Sequence, residues 1–295
     1  MTWNSYHIFI HDMTYHDLFL TEYLYPFIQE NEETISQYFF IRYWQGGPHI
    51  RFRFTSSHPE SIFFRLQMLV EAFKSVYKPA FPLTKEGYYK NHLFDGKKPD
   101  ESELYWIEDL AIVEIKYEPE FERYGGKSLI GYSERIFQIT SDLAFRRLNK
   151  NKDHLSPTMK LIFACDFFTS MRAFLHEKQI TRLLENYEKF WSAFMKAGQM
   201  NEKYVAQVSR LFRDKTELIR QMLNDNKDTH LQQIYQIFNE VTLKGKKEVI
   251  PSLIFSHVHM FNNRIGLPSY LESSVATIMK STKAGVNENE MGPVL

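Results

Sequence analysis

The sequence has one cysteine, Cys165, set in the apolar run Leu161-Ile162-Phe163-Ala164-Cys165. It can form neither an internal disulfide nor a cysteine-based metal cluster, which fits a reducing cytosol. An excess of either charge is missing as well: Lys+Arg and Asp+Glu stand at 36 each, for a net charge of +0. No field over the whole molecule draws it to nucleic acid or an anionic membrane, so any arginine cluster needs a local reason. Long hydrophobic runs are absent: no segment offers the roughly 18 uninterrupted apolar residues that span a bilayer. The N-terminal MTWNSYHIFIHDMTYHD lacks a basic region leading into an apolar stretch, and a cytoplasmic chain without a membrane span is the expectation. Walker, GxGxxG, GxSxG and HExxH motifs do not occur, which removes the usual nucleotide, hydrolase and zinc-protease readings.

What is present is apolar and aromatic. Of 295 residues, 43% are hydrophobic and 16% aromatic, enough to fill a substantial core. Short aromatic and β-branched runs predict strands at 6–10, 37–44, 50–55 and 111–117, with a hairpin around Gln45-Gly46-Gly47-Pro48. Periodicity predicts a helix over 59–77, then helices at 127–148, 157–177, 179–197, 201–223, 228–242 and 250–264. The expected fold is α+β, an N-terminal mixed sheet followed by a largely helical half, in one domain over 1–280 with a fraying tail at 281–295. The polar segment 80–104 reads as a functional or mobile loop.

Three stretches carry candidate chemistry. In YWQGGPHIRFRF, residues 43–54, period-two alternation puts Ile50, Phe52 and Phe54 on one face and His49, Arg51 and Arg53 on the other. A solvated sheet face is the ordinary reading of such a pattern. Flanking aromatics and a close Gly-Gly turn favour a semi-enclosed anion site, where two planar guanidinium forks suit a carboxylate. In YEPEFERYGG, residues 117–126, Pro119 ends a strand and Gly125-Gly126 lead into a helix, so Glu118, Glu120, Glu122 and Arg123 sit on a junction. Surface ion pairing is one reading, and a carboxylate that orients an arginine, with Tyr124 supplying a hydroxyl, is the other.

The third stretch is IPSLIFSHVHMFNNRIG, residues 250–266. Helical spacing gathers Ser252, Ser256, His259 and Asn263 on a polar stripe opposite Ile254, Val258, Phe261 and Ile265, with His257 and Arg264 on a flank. His257 and His259 do not converge and make a poor metal pair, so neither metal nor other cofactor is expected. His7, His11 and His16 read as strand and helix-start residues. An accessible imidazole on the polar stripe can exchange a proton near neutral pH.

Taken in order, Phe40-Ile41-Arg42-Tyr43 with GGPHIRFRF, then YEPEFERYGG, then His259-Met260 with Asn263-Arg264-Ile265-Gly266, the chain resembles the small C-terminal domain of class I lanthipeptide dehydratases, also found as a separate protein in thiopeptide pathways. The resemblance spans residues 40–266. It implies elimination of glutamate from glutamylated Ser or Thr of a precursor peptide, in company with a separate tRNA-dependent glutamylating subunit. It maps catalytic roles onto Arg51, Arg53, Glu120, Arg123 and His259, with Arg42, His49, Tyr124, Asn263 and Arg264 expected at the substrate. It also implies that tRNA contacts the partner rather than this neutral chain. The partner expectations extend to an oligomer. The competing expectations are a pyridine synthase of the same fold, which joins two dehydroalanines by a formal [4+2] cycloaddition, and a non-catalytic peptide-binding subunit.

Overall fold

The computed structural model describes residues 2–90, 104–149, 155–195, 207, 210 and 229–283. The chain begins with strand β1 (Asn4–Phe9) and a helical run, α1, that is α-helical at His16–Leu18, π-helical over Phe19–Leu24 and α-helical again at Tyr25–Glu30. Strands β2 (Ile35–Tyr43) and β3 (His49–Ser56) follow, then α2 (Pro59–Lys74), a short α3 (Lys85–Tyr89) and β4 (Ile112–Glu114). Helices complete the described chain: α4 (Ile130–Asn149), α5 (Pro157–Met171), α6 (Glu177–Met195), α7 (Thr229–Leu243), α8 (Ile250–Arg264) and α9 (Glu272–Lys283). The fold is α+β.

Each strand pair is antiparallel, in the order β2-β3-β1-β4. The β2–β3 hairpin turns where the sequence places it. Gly46 and Gly47 have φ of +85° and +114°, a region that suits residues without a Cβ. A Cβ on Gly47 would stand 2.8 Å from His11 Nε2, and that nitrogen is bonded to the Ile107 carbonyl at 3.1 Å. Gly47→Ala is therefore expected to lower stability by about 1–3 kcal/mol, read as a drop in Tm; an unchanged Tm would show that the turn relaxes freely.

The strand expected at 111–117 is cut to three residues. β4 pairs with β1 only from Tyr6↔Glu114 to Ile8↔Ile112, after which Tyr117 leaves the sheet to pack on Trp3 and Phe39, with ring centroids 6.0 and 5.7 Å away. The helix expected from 127 starts at Ile130, and the one expected over 157–177 ends at Met171 in a 3-10 turn, Arg172–Phe174. Most of the expected helix at 201–223 and of the 80–104 loop, and the tail beyond 283, lie outside the described residues.

Period two decides what each sheet face does. Tyr6, Ile8, Ile50, Phe52 and Phe54 are buried on one face, where Tyr6 stacks on Phe63 of α2 at 4.7 Å. Full burial of each Phe stabilises by about 1.5–3 kcal/mol. The opposite face carries His7, Phe39, His49, Arg51 and Arg53 in register across three strands. It is not an open surface: His7 and His49 are buried, and Phe39 meets Phe137 of α4 at 5.2 Å. Two arginines are thereby held beneath a roof of helix and loop.

Candidate active site

β3 supplies the floor. His49 is fully buried, and burial followed by the neighbouring Arg51 holds its imidazole down to about 3, so it is neutral. Its Nδ1 lies 2.8 Å from the Gly47 carbonyl and its Nε2 3.3 Å from Arg51 Nε. A neutral ring with Nδ1–H donating to Gly47 accepts from Arg51 through Nε2. His49 thus aims the Arg51 fork, whose Cζ sits 3.4 Å above the Tyr43 ring. Arg53 lies over Tyr117 at 4.5 Å, and burial, with Arg51 beside it, lowers its pKa to about 10, still a cation at neutral pH.

The 117–126 segment forms one wall. Arg123 Nη1 donates to Glu120 Oε2 at 3.1 Å, an exposed pair in which Glu120 is close enough to act on both Arg51 and Arg53. Arg123 Nε donates to Ser256 Oγ of α8 at 3.3 Å. Tyr124 is buried against Phe137 and His257, with its phenol pushed up to about 12 by burial. Glu134 of α4 adds a carboxylate within range of Arg53.

Helix α8 forms the other wall. Its apolar stripe, Ile254, Val258, Phe261 and Ile265, is buried as its spacing demands. The flank that periodicity leaves undecided is buried too. Arg264 is 0% exposed and His257 1%, because the helix is enclosed by α4, α5, α6 and β2 rather than resting on a single surface. Arg264 Nε donates to Ser141 Oγ at 3.0 Å, but its Nη1 and Nη2, Arg53 Nε and both ring nitrogens of His257 are buried with no hydrogen-bond partner among the described residues. Burial, then the arginines nearby, keeps His257 neutral at about 3, while burial lowers Arg264 to about 9. A guanidinium removed from water needs acceptors, and here several such N–H groups have none among the described residues.

The sequence-expected residues fall into three groups. Arg51, Arg53, Glu120, Arg123, Tyr124 and Arg264 come together, with His49 behind Arg51. His259 lies three residues beyond Ser256 on α8, a rise of about 4.5 Å along the helix axis. Its Nδ1 is bonded to Glu272 Oε1 at 2.8 Å and its ring packs 4.5 Å from Trp191. Arg42 and Asn263 do other work. Asn263 Oδ1 accepts from the Arg42 backbone N–H at 2.9 Å and Nδ2 donates to its carbonyl at 2.8 Å, while the Arg42 side chain pairs with Asp17 at 2.6 Å and donates to the Arg264 carbonyl. Together they clamp β2 to α8.

Sequence reasoning passed over several neighbours. His7 stands opposite Arg51 in the sheet and stacks on His49 at 4.8 Å; its alternation with Ser5 and Phe9 was readable, but only strand pairing tells which residues it faces. Glu272, Tyr187 and Asn262 behind His259 carried no local signal. Among the described residues no three His, Cys, Asp or Glu side chains gather as metal ligands, and no helix is long and apolar enough to cross a membrane.

Comparison with known proteins places this geometry. Residues 3–282 match the family described as lantibiotic biosynthesis dehydratase C-term. Among solved structures, the pyridine synthase TbtD from thiomuracin biosynthesis is similar at a TM-score of 0.75 and 14% identity, over 97% of this chain and 99% of that one. The tRNA-dependent lantibiotic dehydratase MibB from Microbispora sp. 107891 is similar at 0.64 and 16%, over 99% of this chain but only 29% of its own length. TsrL is similar at 0.61 and 12%, over 96% and 95%. No curated protein matches. At these identities the solved structures share the fold, and the family match over nearly the whole chain carries the assignment: the protein belongs to the lantibiotic biosynthesis dehydratase C-terminal family.

Proposed function

We propose that the chain is the eliminating component of a split dehydratase, removing glutamate from glutamylated Ser or Thr of a ribosomally made precursor peptide to leave dehydroalanine or dehydrobutyrine. The observation that carries this reading is the set of buried guanidinium N–H groups on Arg53 and Arg264 that have no hydrogen-bond partner among the described residues, beside Arg51 and Arg123. A carboxylate offers acceptors in the geometry a guanidinium fork presents. A glutamyl ester brings two: the ester carboxyl, which departs as a carboxylate, and the second carboxylate of the same glutamate.

The chemistry follows from the charges. Loss of the Cα proton leaves negative charge on the adjacent amide oxygen; the Cα–Cβ double bond forms as the Cβ–O bond breaks, and glutamate leaves with that electron pair. Fixed cations at the oxygen and the leaving group stabilise both developing charges without reorganising water. Glu120 holds the Arg123 fork and offsets part of the local positive charge. His259, the partly exposed imidazole on α8, does the acid–base work. Glutamylation itself belongs to a separate tRNA-dependent subunit, and the tRNA contacts that partner.

The end-to-end likeness to a pyridine synthase keeps cycloaddition as the second reading. That reaction expels no glutamate and gives the buried arginines no leaving carboxylate to meet. One experiment separates them: a glutamylated precursor peptide is incubated with the protein and followed by mass. Loss of the glutamyl group with formation of dehydro residues is expected, and Arg53→Ala is expected to lower kcat about 10²- to 10³-fold. An unchanged glutamyl adduct in the presence of every partner sinks the proposal. Ring formation with release of a leader fragment establishes the cyclase instead.

A further inference from the structure

We propose that Glu272 is the positioning residue for His259, fixing its imidazole in the Nδ1–H tautomer so that Nε2 is the basic nitrogen; the link to catalysis rests on the elimination reading above. Glu272 opens α9 and is 1% exposed. A carboxylate buried this deeply must be satisfied by donors, and three reach it from two other helices. Tyr187 Oη of α6 and Asn262 Nδ2 of α8 both donate to Oε2, the latter at 2.7 Å, and the His259 Nδ1 contact at 2.8 Å falls on Oε1.

The donors are not interchangeable, and that gives the arrangement its direction. Burial, then the adjacent Glu272, raises the Tyr187 phenol well above its ordinary range, so it keeps its proton and donates. Asn262 turns Nδ2 to the carboxylate even though its Oδ1 is then buried without a partner among the described residues. The reverse amide orientation would set oxygen against oxygen. With Oε2 taken by two donors, Oε1 is an acceptor, and the only His259 tautomer that meets it carries the proton on Nδ1. Trp191, packed 4.5 Å from the His259 ring at a tilt of 32°, limits rotation of the imidazole out of that plane. A carboxylate that merely filled space would be satisfied by Tyr187 and Asn262. Directing its second oxygen at a partly exposed imidazole selects which nitrogen is left to take a proton.

The test is the nitrogen spectrum of histidine-labelled protein, with the His259 signals assigned by their loss in His259→Gln. In the unaltered protein Nδ1 is expected to be the protonated nitrogen and Nε2 the unprotonated one; an Nε2–H tautomer overturns the proposal without any variant having to fold. Glu272→Gln, which can donate as well as accept, is expected to populate both tautomers. With glutamylated peptide as substrate it should lower kcat by about 10²- to 10⁴-fold with little change in KM. A folded Glu272→Gln that keeps both tautomer and kcat overturns the positioning role while leaving the elimination reading intact. Absence of turnover by the unaltered protein would remove that reading, and the tautomer measurement would still decide the role of Glu272.

Discussion

His259→Ala is expected to stall the reaction at the glutamylated peptide, with kcat down about 10²- to 10⁴-fold, the range over which a positioned acid–base group accelerates proton transfer. The side chain is 21% exposed and sits on the stripe of α8 that also meets Arg123 through Ser256. The substitution leaves the apolar side of the helix untouched, so the fold survives. It does deprive Glu272 of a donor at Oε1, which costs about 1–3 kcal/mol if water does not replace it. Mass spectrometry of the product, read beside the melting temperature, separates the two effects. The expected result is a stable protein with the glutamyl adduct accumulating, and normal dehydrated product would remove His259 from the mechanism.

The second large effect concerns acid. His7, His16, His49 and His257 are all buried, and burial first, then nearby cations or histidines, pulls each below its ordinary 6.5: His16 to about 4, His49 and His257 to about 3, and His7 further. Each stays neutral in the folded chain while its unfolded counterpart takes a proton near pH 6.5. The unfolded state then binds more protons, so stability rises with pH through this window and is lost as pH falls from about 6.5 towards 3–4. Each histidine contributes a slope of about 1.4 kcal/mol per pH unit. The protein should therefore unfold cooperatively in mild acid. His257→Phe, in a site lined by Tyr124, Phe137 and Phe238, should remove one proton from that slope. Urea titrations at pH 7, 6 and 5 measure it, and a stability that does not change over this range refutes the account.

These histidines also show where reading a sequence stops. The alternation of His49, Arg51 and Arg53 with Ile50, Phe52 and Phe54 was legible because a strand has period two and an apolar face must be buried. The Gly-Gly hairpin was legible because two positive-φ residues between strand-like runs have few other uses. Most helix boundaries on α4 to α8 fell within a few residues, since their apolar spacing is regular. The strand at 111–117 was overdrawn: composition measures β propensity, whereas β4 ends where β1 stops pairing and Tyr117 finds a better contact on Phe39 and Trp3.

By itself, then, the sequence determined the α+β class, the shared face of the twin arginines, the polar stripe of α8 and the absence of a disulfide framework, all of which follow from short-range periodicity or from counting. Tertiary structure alone decided that the arginine face is roofed rather than solvated, that Arg264 and His257 lie buried beside it, that Arg42 and Asn263 clamp β2 to α8, and that Glu272 stands behind His259. The physical reason is separation along the chain. Asn263 lies 221 residues from Arg42, and Arg123 lies 133 from Ser256. Local pattern can fix which side of a strand or helix a residue occupies, but only packing fixes what that side meets.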